Sequence, residues 1–212
     1  MTEGSEDAQD AQARAVRVMR VVTLALGAVV AGLTAYVVGA RFAFPVDAEW
    51  MVGSVRDTVD RVRQGLPIYA PPSGTFVAFL YTPLYYWVSA LVARVTSTFV
   101  ACKLVSLGAT IGAAWGVGQI ARALGASRFW TAVAVLLEIG CFSFTLFFYD
   151  LERVDPLSAA VVVAGVAVLL DPSSGALDRR ALARAAAGGA LLGLSFFAKQ
   201  PGLFAFLGAT GG

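Results

Sequence analysis

The sequence contains no histidine, which removes the commonest general base and the commonest metal ligand from the chemistry open to it. Charge is scarce as well: Asp, Glu, Lys and Arg make up 14% of the residues, against about 25% in a soluble domain that must keep its surface wet. Only two cysteines occur, Cys102 and Cys141. Both sit in apolar runs, where a thiol behaves as a small buried hydrophobe, so they are read as packing residues and say nothing about redox compartment. The net charge of +2, spread along the chain, argues against a nucleic-acid partner. Catalysis is left to carboxylates, Lys, Tyr or Cys.

What is abundant is hydrocarbon. Hydrophobic residues make up 58% of the 212, and they fall in long blocks separated by short charged punctuation. This pattern predicts an all-α fold, a polytopic bundle of transmembrane helices. Met1 to Gln12 (MTEGSEDAQDAQ) is polar and acidic and is expected to be a disordered tail. With the basic flank Arg14, Arg17 and Arg20 it forms a cytoplasmic segment, residues 1–20. Val21 to Ala40 matches the roughly 20 residues needed to cross a bilayer core. Small residues at Val38-Gly39-Ala40 would suit a signal-peptide cleavage site, but the block exceeds the usual apolar region of about 7–15 residues, so it is read as an anchor. Further spans are expected at Ala101–Ile120, Phe129–Tyr149, Pro156–Leu170 and Ala185–Ala198.

Cytoplasmic loops carry an excess of Lys and Arg, and three segments compete for that side: the N-terminal flank, the turn Arg122–Arg128, and the loop Asp171–Arg184. All three share one side only if Pro83–Val95 (PLYYWVSALVARV) does not cross. Its leading Pro, its Tyr and Trp, and its short length suit a helix lying at the membrane interface. The outer loop 41–100 is therefore expected to carry interfacial helices. One is expected over Ala48–Gln64, where Val52, Val55, Val59 and Val62 recur at helical spacing, with Gly65 as its C′ residue.

The acidic residues of the outer segments then lie on one face. Asp47 and Glu49 stand two residues apart just beyond the first span. The second outer loop, Tyr149–Pro156, groups Asp150, Glu152 and Asp155 around Arg153. The plain reading of Asp155 is an N-cap with Pro156 at N1, and that of Asp47 and Glu49 is a wetted loop. Glu138 lies inside an apolar span, where ionisable residues usually face a cavity or a partner.

In order and spacing, these features resemble the GT-C superfamily of membrane glycosyltransferases, in the lineage of protein O-mannosyltransferases and aminoarabinose transferases. The shared elements are a first span, an acidic motif (VDAEW), an Arg-containing helix closed by GLPIY, the segment YTPLYYW, an Asp-Pro motif (RVDPLSA) and a Lys-containing turn (AKQPG). They cover nearly all of the chain from Val21, so residues 21–212 are expected to be a GT-C-like domain. Relatives are usually more than twice as long, and the chain is expected to be the N-terminal part of such a protein, with little activity on its own.

The resemblance implies transfer of a sugar from a polyprenyl-phosphate donor to an acceptor hydroxyl, on a lipid, glycan or protein, with inversion. Asp47 matches the general base, with Glu49 as its understudy, and Asp155 matches a second acidic position that orients the first or the acceptor. Where aminoarabinose transferases have a Lys before the Pro of the interfacial segment, this chain has Thr82. The phosphate is then expected to meet Arg56, Arg153 or Lys199, which supply such donors, with Tyr69 and Tyr85 of the matching motifs lining the substrate. No cofactor or metal is expected, although Asp47, Glu49 and Asp155 offer oxygen ligands of the kind Mg²⁺ takes. The implied location is the plasma (inner) membrane, with the N-terminus cytoplasmic and the site on the outer face. A transporter or lipid flippase, with Glu138 on its pathway, is the rival reading. A scaffold without chemistry is another.

Overall fold

The structure, a computed structural model, describes residues 3–42, 44, 49–170 and 179–210. Asp47, the expected general base, lies outside the described residues, as do residues 171–178 of the expected loop Asp171–Arg184. Among those described, the regular structure is all helical, with eight α-helices. Three are long and apolar enough to cross a membrane: Asp7–Phe42, Thr98–Ala123 and Arg179–Ala198.

Helix α1 (Glu3–Phe42) runs for 40 residues, about 60 Å at 1.5 Å per residue. The expected disordered tail is therefore corrected from Glu3 onward. The tail's Ala, Gln and Glu are good helix formers, and adding turns to a helix already nucleated in the apolar block avoids the nucleation cost. Its flank is largely uncovered, with Val21, Leu26, Val29, Leu33 and Tyr36 exposed.

Between α1 and the next long helix lie α2 (Val52–Arg63) and α3 (Leu84–Val92). The valine periodicity decides the orientation of α2: Val52, Val55 and Val59 are buried. Its end is a full Schellman turn. Gly65 adopts φ +70°, its amide bonds Val62 O at 3.1 Å, and the Leu66 amide bonds Arg61 O at 2.9 Å. The nine residues of α3, about 14 Å, are too few to cross a bilayer. They pack on α2 and on α4 (Thr98–Ala123), where Val55, Val59, Tyr85, Tyr86, Ala90, Cys102, Val105 and Val154 form one core cluster.

Helix α5 (Arg128–Gly140) corrects the expected span Phe129–Tyr149: it has 13 residues and gives way to a 3-10 turn at Cys141–Ser143. The Phe142 carbonyl accepts both the Thr145 hydroxyl, at 3.0 Å, and the Phe147 amide, at 3.0 Å. Leu146 and Phe147 take positive φ, 55° and 60°. The Phe142 ring meets those of Phe147 and Tyr149, and Thr110 Oγ1 on α4 holds the Tyr149 carbonyl at 2.9 Å. Local hydroxyl bonds and aromatic packing thus fold this apolar run back onto α4, which hydropathy alone does not register.

Helix α6 (Val154–Leu169) lies between α4 and α7 (Arg179–Ala198), and α8 (Gly202–Thr210) turns back on α7. Small residues set these distances. A Cβ on Gly165 or on Gly188 would stand 3.1 Å from the other's carbonyl oxygen, so the two backbones are nearly in contact, as in close crossings of membrane helices.

Contacts define two ends of the molecule. Lys103 at the start of α4 meets the last carbonyls of α1, and Lys199 beyond α7 meets Asp155 at the start of α6. At the other end, Arg122 and Arg184 border one cleft, and the Arg20 guanidinium stands 5.4 Å above the Phe129 ring. The described basic segments therefore cluster at one end and the acidic loops at the opposite one.

Candidate functional site

The acidic end is organised by Arg153. Its backbone is extended, φ −130° and ψ 148°, with its amide bonded to Leu151 O at 2.8 Å and its carbonyl accepting from Ser106 Oγ at 3.3 Å. The side chain is thereby aimed between three segments. Its Nη1 lies 3.1 Å from Glu49 Oε2, and its Nε lies 3.2 Å from Asp155 Oδ2. Met51 Sδ approaches Nη1 at 2.8 Å, and the Phe148 ring centre lies 4.3 Å from the guanidinium carbon. Asp155 continues the chain, its Oδ1 standing 2.5 Å from Lys199 Nζ, which lies 5.6 Å from the Tyr81 ring centre. Side-chain exposure is 8% for Arg153, 16% for Glu49 and 27% for both Asp155 and Lys199. The guanidinium is the floor of the site, and the Asp155–Lys199 pair is its open side.

The N-cap expected of Asp155 is corrected. Helix α6 begins at Val154 with Arg153 as N-cap, and no side chain bonds its first amides. Pro156 still falls in the first turn, where a missing N–H costs nothing. The carboxylate of Asp155 instead spends both oxygens on cations. Burial alone would raise this carboxyl, but the bond and charge of Lys199, then those of Arg153, hold it below its ordinary range. Lys199 is positioned by the α7–α8 turn: its amide bonds Ser195 O at 2.9 Å, and Gly202 packs so closely that a Cβ would stand 2.4 Å from the Ser195 carbonyl carbon. Gln200 anchors the same turn by donating to Leu80 O.

Beneath this chain lies a second charged group. Lys103, 4% exposed, donates to the carbonyls of Arg41 at 2.9 Å, Phe42 at 3.2 Å and Phe44 at 3.4 Å. It satisfies the orphan end of α1 and matches its dipole. Asp150 pairs with Arg41 at 3.4 Å, and Glu152 is 1% exposed with no hydrogen bond to Oε1. Burial pushes both carboxyls up, opposed for Asp150 mainly by Arg41 and for Glu152 by a backbone hydrogen bond and then by Lys103 and Arg56. Lys103 is hard to see in the sequence because apolar residues flank it on both sides. A lone Lys within a span is itself a signal.

The expected site residues divide accordingly. Glu49, Asp155, Arg153 and Lys199 come together. Arg56 stacks on a neighbouring ring, its guanidinium 5.4 Å from the Phe99 ring centre, and its charge acts on Glu152. Tyr69 borders the site, its hydroxyl bonded to Tyr81 O at 2.7 Å with the ring exposed. Tyr85 is corrected from a substrate contact to a core residue. It is 0% exposed, its hydroxyl donates to Cys102 O at 2.9 Å and pairs with Ser106 Oγ at 3.0 Å, and burial pushes its phenol well up. Glu138 is half-buried on α5, and its backbone carbonyl accepts the Tyr149 hydroxyl. Among the described residues there is no group of three or more His, Cys, Asp or Glu placed to hold a metal ion.

No family model, curated protein or solved structure matches this chain.

Proposed function

We propose that the protein is a multi-pass membrane glycosyltransferase of the GT-C type that uses a polyprenyl-phosphate sugar. The observation that carries this reading is the convergence on Arg153 of Glu49, Asp155 and, through Asp155, Lys199, from segments 104 and 44 residues apart. This arrangement sits at the end of the helices opposite the segments that hold Arg20, Arg122 and Arg184, and on this reading that end faces the outer side of the membrane. A carboxylate and a cation held together at a lipid boundary suit a donor that is hydrocarbon at one end and phosphate at the other.

The roles follow from the electrostatics. Asp155 is doubly bound to cations and depressed, so it is a poor base and serves to hold Arg153 and Lys199 in place. Lys199, at the open side, meets the donor phosphate, and Tyr69 lines the approach. The base is Asp47, with Glu49 fixed by Arg153 two residues along the same segment. It takes the proton of the acceptor hydroxyl as that oxygen forms its bond to the anomeric carbon. The carbon–oxygen bond to phosphate breaks, the electron pair leaves with the polyprenyl phosphate, and the anomeric centre inverts. Base catalysis of this kind contributes about 10²–10⁴-fold.

The test is release of polyprenyl phosphate from mannosyl, glucosyl and aminoarabinosyl donors in membranes carrying the protein. Asp47→Asn is expected to abolish release at normal expression and insertion, and Lys199→Gln to raise the donor concentration needed for half-maximal rate. Release by Asp47→Asn at the wild-type rate would remove the reading.

A further inference from the structure

Helix α2 turns Val52, Val55 and Val59 to the core and leaves Ser54 and Asp57 on its outer flank, where the segment 73–81 runs back along it. The pairing is fixed at both ends. Near the end of α2, the Arg61 guanidinium lies 4.1 Å from the centre of the buried Phe76 ring, and its Nε donates to Pro67 O at 2.9 Å. Near the start, the Tyr81 hydroxyl stands 4.0 Å from Met51 Sδ. A tight turn closes the far end of the segment: the Ser73 amide donates to Phe76 O at 2.8 Å, and the Phe76 amide donates to Ser73 Oγ at 3.1 Å. A cavity of about 240 Å³ remains between this turn and α2, lined by Ser54, Asp57, Ser73, Thr75 and Val77. Asp57 is exposed and, among the described residues, its carboxylate has no ion pair and no hydrogen bond. From the cavity a path of rings leads back to the site. Trp50, 80% exposed, lies 6.3 Å from Phe79, which stacks on Tyr81 at 5.8 Å and 11°, and Lys199 Nζ stands 5.6 Å from the Tyr81 ring centre.

We infer that this track binds the acceptor and that the acceptor is a glycan. One sugar residue occupies the cavity and gives its hydroxyl protons to Asp57, and the residues next to it lie with their C–H faces on Trp50 and Phe79, toward Lys199. Sugars carry both of the surfaces that the track matches: a ring face of C–H groups and a rim of hydroxyl donors. The negative face of an aromatic ring suits the first, and a carboxylate, which only accepts, suits the second. Other ligands fit less well. Asp57 repels a phosphate or an anionic headgroup. A divalent cation takes about six oxygen ligands, several of them carboxylates, and the described lining has one carboxylate. An extended peptide takes main-chain bonds from a sheet edge, and the described residues hold no strand. The cavity is also preorganised, because the turn and Arg61 hold its wall before any ligand arrives. That the glycan is the acceptor rests on the transferase reading; that it binds here does not.

The experiment titrates the whole protein, in phosphatidylcholine nanodiscs, with short manno-, gluco- and arabino-oligosaccharides and reads binding by saturation-transfer NMR. Saturable binding is expected in at least one series, with the largest transfer to ring C–H protons. Trp50→Ala should weaken it roughly fivefold, and Asp57→Ala about tenfold or more. Both residues are exposed, so helical circular dichroism should not change. Trp87→Ala, on the exposed face of α3, should bind like wild type. No saturable binding in any series, or wild-type affinity in either of the first two variants, would overturn the inference. Release of polyprenyl phosphate separates this inference from the transferase reading. It should rise when the bound oligosaccharide is added and not when a peptide rich in Ser and Thr is added. Release that the peptide raises and no oligosaccharide raises would overturn the glycan acceptor and leave the transferase standing. Oligosaccharide binding that fails in Trp50→Ala and Asp57→Ala, without release from any donor, would uphold the glycan site and remove the transferase.

Discussion

Replacing Arg153 with Met leaves Glu49 without its cation and Asp155 with Lys199 alone. At the observed 3.1 Å separation, the Arg153–Glu49 attraction is about 5 kcal/mol at an effective dielectric of about 20. Desolvation of both groups offsets much of that, so the net value of the pair is far smaller. The cost of breaking it is larger, because one charge then stays buried alone. With Glu49 at 16% exposure, the single variant should lose about 3 kcal/mol, the lower part of the range for broken buried pairs. Loss of the Phe148 stack adds about 1 kcal/mol. Glu49→Gln should also destabilise, and the double variant should be less damaged than the sum of the singles by about 1–3 kcal/mol. The assay is reversible unfolding in mixed micelles, followed by helical circular dichroism. Strict additivity would refute the reasoning, since it would mean that the segments carrying residues 49 and 153 do not meet.

The charged groups make further predictions of opposite sign. The Asp155 carboxyl is held below its ordinary value, so the stability it contributes is present above about pH 4 and lost as pH falls through its folded value. An acid titration of the unfolding midpoint should show this loss in wild type and not in Asp155→Asn. Glu152 is raised, so its contribution is complete below the ordinary carboxylate value and lost as pH rises through the folded one. Glu152→Gln should therefore match or exceed wild-type stability at pH 8, with the difference shrinking toward about pH 4; destabilisation confined to pH 8 would contradict the assignment. At the α6–α7 crossing, Gly188→Val must displace Leu169, whose Cγ lies 2.6 Å from a Cβ built there, and press on the Gly165 carbonyl. A loss of at least about 1–3 kcal/mol is expected in the same unfolding assay, and an unchanged midpoint would mean that the helices do not cross there.

Much of the fold is legible wherever one local rule acts alone. The valines of α2 face the core because four of them recur on one helical stripe, and Gly65 ends the helix because only an unhindered residue accepts φ +70° there at low cost. Local rules mislead where two effects compete. Hydropathy reads Phe129–Tyr149 as a continuous span, yet hydroxyl bonds at Thr145 and stacking at Phe142 break it. Composition reads the tail as disordered, yet the helix beyond it propagates through. Of the candidate site, Glu49, Arg153, Asp155 and Lys199 are each visible as charges beside apolar blocks. Their mutual pairing is not visible, because it depends on how three helix ends are brought together. Lys103 is missed for the same reason that it is buried: long apolar neighbours on both sides average its charge away.

The grip of Lys103 on α1 has a consequence for biogenesis. The carbonyls that end α1 are emitted by the ribosome 62 residues before the ammonium that takes up the Arg41 oxygen. At translation rates of about 5–20 residues per second, the first helix waits roughly 3–12 s with an incomplete terminus until α4 arrives. Its end must be served by water or other polar groups during that interval. The docking of α4 is then the event that seals the helix laid down before it.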